Sequence, residues 1–228
     1  MKTSLALVPA IFLASACVDV NINNQPATDA GPAGCSLGSA NGGSRGDASG
    51  SDESTVRPPK ATDSISIQGN IDQTALSLTW DPANPKTTSN FTTSMTVYNS
   101  IGRAIQLDIY FCKDDDGRVP GVSGDWTYHV MTDGANLQFQ SDGISPTTPG
   151  SDTEIAEGTL RFDTSGRLMS NILTVQGFYP NDAVGPQVLT FHFGTGTDDG
   201  GSGLDGITQF AATSAVRFVT QSGWGYSY

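Results

Sequence analysis

The chain has 228 residues, enough for one or two domains, and 11 Lys+Arg against 23 Asp+Glu give it a net charge of −12. That balance, with no basic stripe to override it, excludes nucleic acid and anionic lipid surfaces as electrostatic partners. Charged residues make up only 15% of the chain while Gly, Ser, Thr, Asp and Asn abound, which excludes a highly charged helical protein and suits an exported β protein with many turns.

Lys2, the apolar run "LALVPAIFLASA" (residues 5–16) and then Cys17 read in order as an export signal. The run is too short to remain as a membrane-spanning helix. Its end, "LASAC", resembles a bacterial lipobox, which implies cleavage after residue 16 and a lipid on Cys17. Ordinary secretory cleavage that leaves a free thiol is the alternative. Each buried methylene contributes roughly 0.8 kcal/mol, so several acyl chains hold a protein on a membrane almost permanently. Val18, rather than Asp, follows the cysteine, which in lipoproteins of this type implies the outer membrane, with the periplasmic and surface faces both open. Residues 17–57 carry no apolar periodicity and are rich in Gly, Ser, Asn and Asp, so they read as a disordered tether. A flexible chain of that length reaches roughly 35 Å.

From residue 58 to residue 228 the pattern is that of strands. "SISIQGNI" alternates Ile65, Ile67 and Ile71 with polar residues, and "TALSLTW" alternates Leu76, Leu78 and Trp80, so both are expected to be half-buried strands. "DPANPKTTSN" then breaks the chain with two prolines. In "FTTSMTVYNSIGRAIQLDIYF" Met95 and Val97 share one face, Leu107, Ile109 and Phe111 share another, and Gly102 sits where a hairpin loop needs positive φ. "DWTYHVMTD" is a further strand, "GTLRFDTSGRLMSN" a second hairpin, and Ala135 to Glu157 before it a long loop. "QVLTFHFG" divides Val188, Thr190 and His192 from Leu189, Phe191 and Phe193, and "AVRFVTQ" completes the set. No amphipathic helix follows residue 57. The fold class expected is therefore all-β, an antiparallel barrel or sandwich of hairpins.

Five segments, "ATDSISIQGNID", "NFTTSMTVYNSIGRAIQLDIYFCK", "GDWTYHV", "GTLRFDTSGRL" and "GITQFAATSAVRFVTQSGWGY", resemble in that order the central β-rich region of the bacterial flagellar hook protein. The resemblance spans residues 58–226. It implies a non-enzymatic structural protein of the flagellum and of motility, with hook or basal-body proteins, or further copies of itself, as partners. Hook subunits also pair terminal helices in the inner tube of the filament, and the quoted segments hold none, so axial polymerisation is not expected of this stretch. The alternative function is a lipid-anchored surface binding or adhesion module that reuses the hook domain.

The residues offer little for chemistry, and neither an enzyme nor a cofactor is expected. His129 and His192 lie inside strands, where a lone histidine is a packed or surface residue far more often than a base. No Gly-x-Ser-x-Gly elbow and no Cys/His pair at zinc spacing occurs. "GGSGLDGIT" (Gly200 to Thr208) matches one calcium-binding β-roll nonapeptide, but a single copy has no neighbouring turn to complete the coordination, so the reading is an acidic loop. Asp114, Asp115 and Asp116 in "KDDDGR" lack the later ligands of an EF-hand and read as a solvated turn. A Cys35–Cys112 disulfide is chemically open in an oxidising compartment, against the preferred reading of Cys112 as a small apolar residue packed in the sheet.

Overall fold

The computed structural model describes residues 57–114, 122–138 and 150–227, apart from the side chains of residues 122, 123, 175 and 176. All of them lie in one unit, Asp52–Tyr228. In chain order the strands are β1 (Ser64–Asn70), β2 (Phe91–Tyr98), β3 (Ala104–Lys113), β4 (Val122–Asp133), β5 (Asp152–Asp163), β6 (Leu168–Gln176), β7 (Thr190–His192), β8 (Ile207–Thr208) and β9 (Ala215–Gln221). Two short 3-10 turns, Gly134–Asn136 and Thr197–Asp199, are the helical segments among the described residues.

Consecutive strands β2 to β6 form a five-stranded antiparallel meander. Local chemistry sets its turns. Between β2 and β3, the buried Asn99 carboxamide accepts from the amides of Ile101 and Arg103, and Gly102 adopts φ +80°. Asp163 does the same between β5 and β6 for Ser165 and Arg167, with Gly166 at φ +78°. An Asx side chain that satisfies the turn amides, followed by a residue free to take positive φ, fixes hairpin register without tertiary help.

The second sheet is mixed, which the sequence reading of purely antiparallel hairpins did not include. β1 pairs antiparallel with β9 on one side and parallel with β7 and then β8 on the other. Parallel neighbours need a long crossover. Here the whole five-stranded meander is that crossover, so no helix is required.

One core joins the sheets, as a sandwich rather than a closed barrel. Ile65 and Ile67 of β1 and Leu189, Phe191 and Phe193 around β7 meet Leu107, Ile109 and Phe111 of β3 and Trp126, Tyr128 and Val130 of β4. Phe193 sits 4.8 Å from Tyr128 and edge-on to Phe111 at 6.0 Å, so the aromatic contacts run between the layers. The alternation read in "QVLTFHFG" holds, with Val188 exposed and Leu189, Phe191 and Phe193 buried, although only Thr190–His192 are paired as a strand.

Two further expectations need correction. "TALSLTW" is a strap, not a strand: Leu76 is 80% exposed, and the segment is held by side chains. The Lys113 ammonium donates to the carbonyls of Gln73 and Ala75, and Asn90 Nδ2 donates to Leu76 O at 2.7 Å. The stretch Ala135–Glu157 is not one long loop, since β5 begins at Asp152 and pairs with β4 along its length. Arg57, at the end of the segment read as a tether, bridges to Ser227 and lies 3.6 Å above the Trp224 ring. Among the described residues no helix is long and apolar enough to cross a membrane.

Candidate functional site

Among the described residues, sheet edges and a groove beside one of them stand out. β1 alternates, so Ile65 and Ile67 enter the core while Gln68 faces out. Its register with β9 slips between Gln68 and Gly69, which pair with Phe218 and Val216 and leave Arg217 as the extra residue of a bulge. Gly69 permits this approach, because a Cβ there would lie 2.4 Å from Ala215 O. The bulge leaves Phe218 55% exposed while Val216 and Val219 pack on the core. Beside it a groove of about 690 Å³ is lined by Gln68, Asn70, Leu204, Phe210 and Arg217. At the far edge of the other sheet, β6 exposes Ile172 and Leu173. Edge strands and exposed apolar side chains of this kind are where protein contacts form.

The two histidines have different fates. His192 projects outward from β7 into a shallow hollow with Ser66, Gln68, Thr195 and Asp205. His129 is buried on the outer face of β4, where its ring stacks on Trp80 at 4.1 Å and 7° and its Nδ1 lies 2.6 Å from Glu154 Oε1. Glu157 stands opposite it in the β4–β5 register. A ligand atom from each of His129, Glu154 and Glu157 lies within 4.8 Å of the other two. Residue pattern puts His129 in a strand but does not show its partners, since only strand pairing brings them near.

The acidic loop reading of Gly200 to Thr208 has a local explanation. Asp205 accepts from the Thr195 amide at 2.9 Å through one oxygen and from the Thr195 hydroxyl at 3.0 Å through the other. Those bonds, the amide first, hold its carboxyl below the ordinary carboxylate value. Asp114 accepts from the Thr127 hydroxyl. Asp115, Asp116, Cys35 and the lipidation candidate Cys17 lie outside the described residues. Cys112 is 1% exposed, donates its thiol to Thr88 O at 3.3 Å, and is pushed up to about 12 by burial, with Asp114 and Glu154 adding to the shift.

The family described as "Flagellar basal body protein FlaE D2 domain" matches residues 66–224, from within β1 to past the end of β9. The chain belongs to this family. The D2 match therefore covers both sheets, the core between them, the β9 bulge and the groove beside it. Among solved structures, the "32 kDa Fragment of the Flagellar hook protein FlgE from Caulobacter crescentus" is similar at 15% sequence identity with a TM-score of 0.40. That similarity covers 63% of this chain and 52% of the fragment, so the chain spans about half the fragment's length. No curated protein matches the chain.

Proposed function

We propose that this chain is a non-enzymatic structural protein of the flagellar hook type, exported and held at the outer membrane by a lipid on Cys17. The observation that carries the reading is the D2 family match over residues 66–224. What such a domain contributes is shape: two sheets locked by one aromatic core, with exposed edges at β6 and β9 for contacts to hook or basal-body proteins or to further copies. The lipid anchor rests on "LASAC" and Val18. No observation favours the adhesion alternative.

A deletion strain tests the structural role, and the expected result is altered swimming or hook length, restored by the full gene. Normal motility together with hooks of normal length would overturn it. Intact mass of the protein extracted from membranes tests the anchor separately. The expected species begins at Cys17 and carries a diacylglyceryl and an acyl group. Retention of residues 1–16, or cleavage without lipid, removes the anchor and leaves the D2 assignment standing.

A further inference from the structure

We infer that His129, Glu154 and Glu157 form a divalent transition-metal site on the outer face of the five-stranded sheet. This lies beyond anything the family match carries. In a regular strand, residues three apart point to opposite faces. Between β4 and β5 the register shifts, so that Val130 faces Ala156 and Met131 faces Glu154, leaving Ile155 as an extra residue. The bulge sends Ile155 and Ala156 into the core and turns Glu154 onto the face that Glu157 already occupies. His129, directly across from Glu157, completes a group whose ligand atoms all lie within 4.8 Å of one another.

Two half-buried carboxylates this close repel, and among the described residues neither is paired with a lysine or arginine. Imidazole plus two carboxylates is a donor set for zinc, or for cobalt or manganese in its place, at bond lengths of about 2.0–2.2 Å. Metal entry needs Nδ1 free of its proton, which a neutral ring shifts to Nε2 and an imidazolium releases to solvent, and Nδ1 and Oε1 of Glu154 spread by less than about 1 Å. The site is also prepared on its covered side. Trp80 holds the imidazole in a parallel stack and contacts Tyr110, which faces His129 in the β3–β4 register. Trp80 Nε1, Tyr110 Oη and His129 Nε2 are each buried without a hydrogen-bond partner among the described residues. Buried polar atoms are seldom left so. Three protein ligands leave one position for water.

The test uses the purified full chain in detergent, stripped with a chelator and titrated with Zn²⁺ by calorimetry and with Co²⁺ by visible absorption. Expected are one Zn²⁺ per chain, Co²⁺ d–d bands of low coordination number, and a higher Tm with metal than without. Glu157→Gln should weaken binding roughly tenfold or more while leaving the metal-free Tm close to that of the parent. His192→Gln, at the exposed histidine, should bind as the parent does. If Glu157→Gln fails to fold, Glu154→Gln is read in the same way. Failure to saturate, unchanged affinity in the glutamate variants, or loss in His192→Gln would each overturn the site.

Discussion

Gly158 has no room for a side chain: a Cβ there would lie 2.3 Å from Tyr128 Oη and 2.5 Å from Ile172 O. Gly158→Ala must therefore displace a buried tyrosine or a ladder carbonyl, and it should lower stability by about 1–3 kcal/mol in a denaturant titration. Gly177 is the contrast, with ordinary φ and nothing within 4 Å of where a methyl group would lie. Gly177→Ala should be neutral or stabilising by up to about 1 kcal/mol, because it restricts only the unfolded chain. An equal loss in both variants would show that the Tyr128 contact is not the cause. The carboxylates give a sign for pH. Asp205, through the Thr195 amide and hydroxyl, and Asp133, through the amides of Ala135 and Gly150, both lie below the ordinary 3.8 in the folded chain. A depressed folded value means stability that is present above the unfolded pKa and lost as pH falls through the folded one. Tm should fall on acidification from about pH 5 to about pH 2, and Asp205→Asn should flatten part of that fall. Cys112, raised and buried, should resist iodoacetamide in the native protein and react at once on unfolding; rapid native labelling would contradict its packing.

At the scale of elements, the residue 72–80 strap is the least conventional piece, since side chains rather than a ladder hold it to the sheet. The Lys113 ammonium serves two of its carbonyls, and hydrogen bonds from charged donors contribute about 1.5–3 kcal/mol. Lys113→Met should loosen the strap, read as faster amide exchange at Leu78, whose N–H donates to Lys113 O at 3.3 Å. Exchange that stays at the parent rate would mean Trp80 and Asn90 suffice. Strand existence was legible along most of the chain, because β2, β3 and β4 alternate apolar with polar residues and β3 and β6 follow Asx–Gly turns that the sequence displays. The strap was not legible. Leu76, Leu78 and Trp80 mimic a strand's period, and only the position of Lys113 and Asn90 shows that side chains take the carbonyls of Gln73, Ala75 and Leu76.

For the whole molecule, the aromatic bridge predicts cooperative behaviour. Phe193 touches Tyr128, Phe111 and Phe191, so Phe193→Ala should cost about 3–5 kcal/mol, and both sheets should still unfold in one transition. Two separate transitions in calorimetry would mean that the layers are independent. The candidate metal site shows where legibility ends. His129 could be placed in a strand from its neighbours, but Glu154 and Glu157 carry no sequence sign of it. Their distance from His129 along the chain exceeds the short ligand spacing of local zinc motifs, and a bulge at Ile155 decides which face they occupy. What the sequence by itself determined was the all-β class, the hairpin turns and the inward residues, because period, Asx–Gly chemistry and apolar alternation act within a few neighbours. Tertiary structure decided the parallel pairing of β1, the strap, and the joining of His129 to two carboxylates. Each of these depends on long-range register between segments, where bulges and crossovers set the partner and local pattern is silent.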